Sequence, residues 1–480
     1  MTRADLRHER GRALLVLGLI VLAARAATFG NPALGYDEQY YLLVGSRMLD
    51  GAMPYVDIWD RKPIGLFLIY AACRMAGGDG VLQYQLAAAI ATWATAVVLW
   101  ALARPAGGRA GALAAAISYV LWLNFTEGEG GQSAVFYNLP MALAAGLVIA
   151  VLRGCAKPRR AGLLAMLLCG LAIQIKYSVI FEGAFFGLAL LWAAWRRGVG
   201  AGWLAMEALL LATTALLPTA LAAGAFWRAG ALEPFIFANF ASFFGKAGGA
   251  WDQRALGWAL AIAILAPLWI AALLPGRRAL PGHGFVRLWL ASATIGLLPF
   301  LNGPNPNPLP PILLPLAILA APALDRSRRI TLALLVTIFA VGQVVLAATE
   351  RQKGTPAQAR ALARAATPTH GGCLFVYDGY PALYHLTRSC LPTRYAFPGL
   401  LNTRSEDSAA ALGVSPEAEV ARILRARPEK IADVQPAYSG GNPRTRALVQ
   451  AALARDYRLS YAISTGSVRR LIYTRRDVAP

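Results

Sequence analysis

The chain has 480 residues, of which 57% are hydrophobic and only 15% are charged, and its formal net charge is +21. Soluble domains carry roughly 25% charged residues, so this composition excludes an ordinary soluble protein and indicates a membrane protein with several spans. Basic residues recur in the short connections between apolar segments, which argues against nucleic-acid binding as the reason for the charge.

About eleven apolar segments are long enough to cross a bilayer. The stretch 64–76 is shorter, and we expect it to lie along the membrane surface as an interfacial helix. One bent helix is the alternative to two spans for residues 161–195. The predicted spans are 13–29, 82–103, 110–125, 134–152, 161–176, 178–195, 201–225, 255–274, 285–301, 309–324 and 330–348.

The basic residues predict the orientation of these spans. With the N-terminus in the cytoplasm, every inner connection is basic, including the pair Arg277 and Arg278 between the eighth and ninth spans. This is the asymmetry that the positive-inside rule requires. The first span also resembles a signal peptide, with Arg12 before an apolar run, and we expect an uncleaved anchor. Residues 30–81 and the C-terminal region then lie on the outer side.

From about residue 350 the composition becomes that of a soluble domain, so we divide the chain into a membrane module, 1–349, and a terminal domain, 350–480. Strands alternate with amphipathic helices there, which predicts a small α/β domain. The predicted strands are 373–379, 429–435, 459–465 and 469–475, and the predicted helices are 380–386, 416–428 and 445–457. In an oxidising compartment Cys373 and Cys390 would pair, and two buried thiols are the alternative.

The first outer loop has the chemistry of a group-transfer site. Asp37 and Glu38 follow the first span, and the sequence DRKP (60–63) lies a short distance further on. Adjacent carboxylates suit proton transfer or a divalent cation, and cations suit a phosphate. The structural alternative for Asp37 is that it caps the N-terminus of the following helix. The alternative for Arg61 and Lys62 is that they contact lipid phosphates.

A carboxylate is the expected proton acceptor in this loop, because no histidine lies in the outer loops near the membrane. His8 and His283 are predicted on the inner side, and His370 and His385 in the terminal domain.

Further ionisable residues lie at the outer ends of later spans. Glu127 and Glu129 stand in a glycine-rich turn, either as solvated loop charge or as part of a site. Lys176 and Glu182 lie at the turn of the 161–195 segment, where they either pair with each other or belong to a site.

The order of these motifs resembles the bacterial membrane glycosyltransferases of the GT-C superfamily, grouped as glycosyltransferase family 39 with protein O-mannosyltransferases and aminoarabinose lipid A transferases. The motifs YDE (36–38) and D-x-x-x-x-KP (57–63) are followed by several others in the same order. These are GEGGQSAVFYNLPMAL (128–143), LAIQIKYSVIF (171–181), FANFASFF (237–244) and CLFVYDGYPALYHLTRSCLPTRYAFPG (373–399).

The resemblance implies an all-α polytopic membrane protein of GT-C type with a small C-terminal α/β periplasmic domain, in a bacterial inner membrane. Its implied activity is transfer of a sugar, with inversion, from a polyprenyl-phosphate donor to a periplasmic lipid, glycan or protein. Membrane lipids are expected partners and nucleic acid is not. Asp37 would be the base, assisted by Glu38, or both would bind Mg²⁺ or Mn²⁺.

The resemblance implies roles for Lys62, Glu127 and Glu129, and the chemistry and position of the other residues suggest the rest of the site. Lys62, Arg61 and Lys176 would bind the donor phosphate, and Glu127 or Glu129 would supply a second acidic group. Substrate contacts would come from Tyr36, Tyr55, Asp57, Tyr177, Glu182 and Arg254.

Two other classes of protein are alternatives. A lipid-linked sugar flippase or transporter predicts polar residues through the depth of the spans and often repeated halves. In this sequence the polar residues cluster at the outer ends of the spans, and the halves do not repeat. A membrane-anchored binding or scaffold protein leaves the acidic first loop unexplained. The sequence therefore favours a transferase.

Overall fold

A computed structural model describes residues 3–274, 282–369 and 371–478, without the side chains of residues 3–6. Three residues named above, Arg277, Arg278 and His370, lie outside the described residues. The chain forms two compact units. The first unit comprises residues 1–28, 86–222 and 250–346, and the second comprises residues 29–85, 223–249 and 347–480.

The first unit is built from long apolar helices. Its helices are α1 (Arg3–Arg25), α4 (Val81–Trp122), α5 (Ser133–Leu152), α6 (Pro158–Ile173), α7 (Ile180–Arg196), α8 (Ala201–Arg228), α11 (Trp251–Leu273), α12 (His283–Leu297), α13 (Pro310–Leu324) and α14 (Arg328–Lys353). Part of α4, α8 and α14 extends beyond the boundaries of the first unit.

The second unit contains the shorter helices and a sheet. Its helices are α2 (Tyr36–Leu49), α3 (Ile64–Met75), α9 (Leu232–Ile236), α10 (Ser242–Phe244), α15 (Pro356–Ala366), α16 (Ala382–Thr387), α17 (Pro398–Asn402), α18 (Ala409–Leu412), α19 (Pro416–Arg425) and α20 (Pro443–Asp456). Its strands are β1 (Leu374–Val376), β2 (Lys430–Gln435), β3 (Tyr457–Thr465) and β4 (Val468–Arg475).

Seven stretches in the described residues are long and apolar enough to cross a membrane. They are Arg7–Thr28, Val81–Phe125, Ser133–Leu152, Tyr177–Arg196, Ala201–Arg228, Trp251–Leu273 and Arg328–Ala366. The second stretch contains two of the predicted spans, because α4 leaves helical geometry at Gly108, with φ 60° and ψ −155°. The remaining predicted spans coincide with α6, α12 and α13, which have 15 or 16 residues. A helix therefore stands at each of the eleven predicted positions.

The segment 161–195 consists of two helices. A Cβ atom on Gly162 would lie 3.5 Å from Leu190, and one on Gly183 would lie 3.5 Å from Cys169. Contacts that pair 162 with 190 and 169 with 183 run in opposite directions along the chain. Helices α6 and α7 are therefore an antiparallel hairpin, and the single bent helix is wrong.

In the second unit, α2 and α3 lie side by side and run in the same direction. The ring of Tyr41 lies 6.3 Å from that of Phe67, and one turn further along Gly45 meets the backbone of Ala71. A Cβ atom on Gly45 would lie 2.7 Å from the Ala71 nitrogen, so glycine is needed for this close approach. Because the helices are parallel, the loop between them returns to the start of α2.

The terminal sheet has the strand order β1-β2-β4-β3. Strands β1 and β2 are parallel, whereas β4 is antiparallel to both β2 and β3. Residues Ile431–Val434 of β2 are buried in succession, as expected for a strand covered on both faces. Each predicted strand and helix of this domain is present within a few residues of its predicted bounds, so the small α/β domain is confirmed.

Candidate active site

The first turn of α2 carries the acidic pair. Gly35 is its N-cap and uses no side-chain cap, so the structural alternative that made Asp37 the N-cap is wrong. Asp37 and Glu38 instead lie inside the first turn, where the helix dipole favours negative charge. The Asp37 Oδ2 atom accepts a hydrogen bond of 3.2 Å from the Tyr41 hydroxyl. Asp37 is half-buried, with one oxygen directed to a tyrosine that also packs on α3.

Glu38 is only 3% exposed, and its carboxylate folds back over Gly35. A Cβ atom at position 35 would lie 2.0 Å from Glu38 Oε2. The backbone of Gly35, with φ −95°, is one that any residue adopts. Glycine at this position leaves room for the Glu38 carboxylate, which a larger residue would displace.

The loop between α2 and α3 is shaped by two residues that were predicted as substrate contacts. Asp57 Oδ2 accepts the Met53 N–H at 2.7 Å and closes a turn. Tyr55 is fully buried, with φ 71°, and its hydroxyl donates to the Lys62 carbonyl at 2.9 Å. In this structure both side chains are therefore occupied in holding the loop and Lys62.

Lys62 ends this loop just before α3 and lies beside the start of α2. Its Nζ atom stands 5.8 Å from the centre of the Tyr41 ring. Among the described residues, no carboxylate lies within 4 Å of this nitrogen. A lysine held over an aromatic face in this way is suited to receive an anionic ligand.

Asp60 is a member of this cluster that the sequence-based assignment left out of the site. Burial raises its pKa to about 6, against the lowering effect of Lys62, and the charge of Asp37 raises it further. The same three charges therefore act on one another at the N-terminal ends of α2 and α3. The signal was present in the sequence, because Asp60 begins the DRKP motif.

The guanidinium of Arg61 is bound by residues outside this cluster. It donates two hydrogen bonds to the Glu406 carboxylate, at 2.9 and 2.8 Å, and one to the Ala411 carbonyl at 2.7 Å. Its Nε atom donates to Ser242 Oγ at 3.1 Å, and its guanidinium stacks on Trp59 at 4.9 Å. In this structure Glu406 therefore pairs with the Arg61 charge, and the role of Arg61 in binding the donor phosphate stays a prediction.

Tyr36 immediately precedes Asp37 in sequence and contacts the terminal domain. Its ring lies 5.9 Å from that of Tyr380, and the Lys353 Nζ atom lies 5.9 Å from the centre of the Tyr36 ring. Its role as a substrate contact stays a prediction.

The second acidic cluster lies in the first unit. Glu127 adopts a left-handed backbone conformation, with φ 53°, in the turn before α5. Nearby, Arg25 is 1% exposed and donates to the Gly128 carbonyl and to Thr92 Oγ1, and its charge interacts with Glu129. Arg25 was not predicted as a site residue, although a charge inside an apolar span is a recognisable signal. The site roles of Glu127 and Glu129 stay predictions.

The remaining predicted residues of the first unit have local partners. Glu182 is 4% exposed and accepts the Trp289 indole N–H at 2.6 Å, so Trp289 is the partner that the structure gives it. Lys176 precedes the short 3₁₀ turn Tyr177–Val179, and the Arg254 guanidinium lies 5.0 Å from the Trp251 ring centre. The site roles of Lys176, Tyr177 and Arg254 stay predictions.

The structure joins Cys373 and Cys390 in a disulfide, with Cα atoms 5.1 Å apart. This separation is ordinary for a disulfide. Within residues 3–274, 282–369 and 371–478, no group of three or more His, Cys, Asp or Glu side chains is arranged to hold a metal ion.

Comparison with known proteins agrees with this architecture. Residues 60–221 match the family described as dolichyl-phosphate-mannose-protein mannosyltransferase. The match begins at Asp60 and so includes the DRKP motif. No curated protein matches the sequence. The structure of ArnT from Cupriavidus metallidurans bound to undecaprenyl phosphate is similar over 98% of each chain, with a TM-score of 0.62 and 15% identity.

The chain has the GT-C glycosyltransferase fold. The apo structure of the same ArnT covers 96% of this chain and 97% of its own, with a TM-score of 0.63 and 15% identity. This likeness extends through the apolar helices and the terminal domain. The chain is therefore a multi-pass membrane protein of GT-C architecture, as the resemblance in its sequence motifs implied.

Proposed function

We propose that this protein transfers a sugar from a polyprenyl-phosphate donor to an acceptor hydroxyl. The observation that carries the proposal is the cluster of Asp37, Tyr41, Asp60 and Lys62 at the parallel N-terminal ends of α2 and α3. Both helix ends present positive dipoles, and backbone N–H groups at such ends favour phosphate. A GT-C fold similar to that of an ArnT bound to undecaprenyl phosphate supports a donor of this class.

In the proposed reaction the acceptor oxygen attacks the anomeric carbon while the bond from that carbon to the phosphate oxygen breaks. The acceptor proton goes to the Asp37 carboxylate, and the bonding electron pair leaves with the polyprenyl phosphate. Lys62 stabilises the negative charge that develops on the departing phosphate. One direct displacement inverts the configuration at the anomeric carbon. The Tyr41 hydroxyl donates to Asp37 Oδ2 and so orients the carboxylate that receives the proton.

For the step at Asp37 we propose a carboxylate acting as a base without a bound cation. Glu38 is folded over Gly35, so the two adjacent carboxylates differ in surroundings and do not form a symmetric pair of ligands. Mg²⁺ or Mn²⁺ held by Asp37, Glu38 and the donor phosphate is the alternative, because Mg²⁺ often uses only one or two carboxylates with substrate phosphates. A chelator distinguishes the two.

We also propose a bacterial inner membrane location, with the N-terminus cytoplasmic and both residues 30–81 and the terminal domain in the periplasm. The second unit contains both of these segments, which supports placing them on one side of the membrane. Ten predicted spans separate these two segments, and an even number of spans returns the chain to the same side. The disulfide between Cys373 and Cys390 suits an oxidising compartment.

The test is release of labelled sugar from a polyprenyl-phosphate sugar pool by purified protein, in the presence of a detergent extract of the native membrane as the source of acceptor, with and without a chelator. A transferase releases sugar from the lipid in detergent, where no sealed compartment exists. Release that continues in the chelator supports the base mechanism, and release that stops supports the cation. If no donor releases sugar, yet sealed vesicles carrying the protein move the lipid across the bilayer, the protein is a flippase.

A further inference from the structure

The other end of the α2–α3 pair holds a charged cavity, which the transfer chemistry does not use. Its volume is about 690 Å³, and it is lined by the C-terminal parts of α2 and α3 and by α16. Three arginines face it: Arg47, Arg74 and Arg388. Asp50 and Asp79 line it too, so the lining is net positive.

The arginines are only partly used by the protein. Arg47 donates to the Ser389 carbonyl and Arg74 to the Gly78 carbonyl at 2.8 Å. Each guanidinium has five N–H donors, so most of them are left for a ligand. Within the part of the chain that the structure describes, no carboxylate lies within 4 Å of any of the three guanidinium groups. By contrast, Arg61 and Arg446 of the same unit form such ion pairs.

Arg388 is held in an unusual backbone conformation. It is the residue after α16, with φ 52° and ψ 25°, a position that usually takes glycine because side chains are disfavoured there. The segment is fixed on its far side, since Ser389 Oγ accepts the Leu374 N–H at 2.8 Å and Cys390 is bonded to Cys373. Arginines near helix C-termini are expected from the helix dipole. The helix dipole does not explain why an arginine in the left-handed conformation lines the same cavity as two other arginines.

His385 completes the lining. Its Nε2 atom lies 2.7 Å from the Asp79 carbonyl, so this nitrogen donates the hydrogen bond. Burial lowers the pKa of His385, and the charges of Arg74 and Arg47 lower it further, although Asp79 opposes them. The ring is therefore neutral near pH 7 and the positive charge of the cavity comes from the arginines.

We propose that this cavity binds a phosphate group of the sugar acceptor, at a point remote from the hydroxyl that reacts. Guanidinium groups bind phosphate through paired hydrogen bonds, and three of them around one cavity suit a phosphate ester. Arg47 follows Asp37 by ten residues on α2, which corresponds to about 15 Å along the helix axis. An acceptor of that length would reach both ends of α2. This assignment to the acceptor rests on the proposed function.

Inorganic phosphate tests the site without turnover. The full-length protein in detergent is titrated with phosphate at constant ionic strength against chloride, and the thermal unfolding midpoint is recorded. The variants are Arg388→Gly, Arg388→Lys and the control Arg425→Gln, which alters an exposed arginine of α19. Glycine suits the left-handed position, so Arg388→Gly should fold at least as well as the wild type.

Phosphate should raise the midpoint of the wild type, of Arg388→Lys and of the control. Arg388→Gly should bind phosphate roughly tenfold more weakly, the usual effect of losing one charged hydrogen-bond donor. Equal phosphate stabilisation of Arg388→Gly and the wild type would overturn the site, as would no stabilisation of any variant.

The source of the phosphate is tested in phosphatidylcholine nanodiscs with and without phosphatidic acid. An undiminished response to inorganic phosphate in both supports the acceptor, whereas competition by phosphatidic acid overturns that assignment in favour of a lipid headgroup. Because binding is measured without turnover, a protein that binds phosphate but releases no sugar keeps this site and overturns the proposed function.

Discussion

Arg61 and Glu406 are 345 residues apart in sequence and form a two-pronged ion pair, with N–O distances of 2.9 and 2.8 Å. Glu406 is 5% exposed and also lies 3.1 Å from the Lys246 Nζ atom. The pair attaches the loop that carries Asp60 and Lys62 to the terminal domain. This contact positions Asp60 and Lys62, the two charged neighbours of Arg61.

Glu406→Ala should therefore destabilise the protein strongly. It leaves the Arg61 charge largely buried without its partner, and breaking such a pair costs about 3–5 kcal/mol. Thermal or denaturant unfolding in detergent measures the change. Glu417→Ala, which removes an exposed carboxylate 3.8 Å from Arg444, is the control and should have little effect. Equal stability of the two variants would show that the Arg61–Glu406 pair does not hold the loop.

Gly35→Ala should lower activity without a large loss of stability. The added Cβ atom would collide with the Glu38 carboxylate, which must leave its buried position, and the first turn of α2 carries Asp37. We expect at least a tenfold slower release of sugar, since misplacing catalytic groups by about 1 Å can cost far more than that. Gly224→Ala on α8 is a matched control, because a Cβ atom there meets no atom within 4 Å. Normal activity of Gly35→Ala would remove Glu38 from the site.

Asp60→Asn should stabilise the protein at neutral pH and not under acid conditions. The pKa of Asp60 is raised from 3.8 to about 6, chiefly by burial, so the folded state retains a proton that the unfolded chain releases. The free energy of unfolding therefore falls as pH rises from about 4 to 6, and the fall is complete above about pH 6.

Unfolding midpoints of wild type and Asp60→Asn across that range measure the effect. The asparagine still accepts the Arg61 N–H that Asp60 Oδ1 accepts at 2.6 Å. Glu233→Gln, which removes an exposed carboxylate of α9, should show no such pH-dependent gain. A gain for Asp60→Asn that is the same at pH 4 and pH 7.5 would contradict the raised pKa.

Tyr55→Phe should lower the free energy of unfolding, because it removes a hydrogen bond to the Lys62 carbonyl. The hydroxyl of this buried tyrosine donates to the Lys62 carbonyl, and its ring packs between Phe226 and Phe235, 5.2 and 5.7 Å away. Phenylalanine keeps the packing and removes one hydrogen bond, which costs about 1–3 kcal/mol where the acceptor stays unsatisfied. Unfolding in denaturant measures this cost. An unchanged stability would mean that water or another donor replaces the hydroxyl.

Much of the fold follows from patterns of short range. Apolar length predicted the eleven helices, and alternation predicted the four strands of the terminal sheet, because both depend on residues that are near one another in sequence. The acidic pair and the DRKP motif likewise indicated the loop that we propose as the active site. Asp60 could have been assigned to it from the same motif.

The features that the sequence did not reveal depend on partners that are distant in sequence. The sequence offered Arg61 and Lys62 as equivalent cations, and only the fold shows that Glu406 occupies Arg61 while Lys62 faces Tyr41. The structural alternative made Asp37 the helix N-cap, yet the N-cap is Gly35, two residues earlier, and the Glu38 carboxylate lies over that glycine. The convergence of Arg47, Arg74 and Arg388 depends on the parallel packing of α2 and α3, which local patterns do not specify.

The central claim is that Asp37 and Lys62 carry out sugar transfer. Its most direct test is the rate of labelled sugar release from a polyprenyl-phosphate donor by wild type, Asp37→Asn and Lys62→Met. Each substitution keeps the size of the side chain and removes its charge. Glu233→Gln and Arg425→Gln are the charge-matched controls, and unfolding midpoints establish that all variants are folded.

We expect Asp37→Asn to lower the rate by at least a hundredfold, the usual contribution of a general base. Lys62→Met should lower the rate by a similar factor, because a fixed charge beside the leaving group is worth several kcal/mol. The controls should release sugar at the wild-type rate. Folded Asp37→Asn and Lys62→Met proteins that release sugar as fast as the wild type would contradict the account.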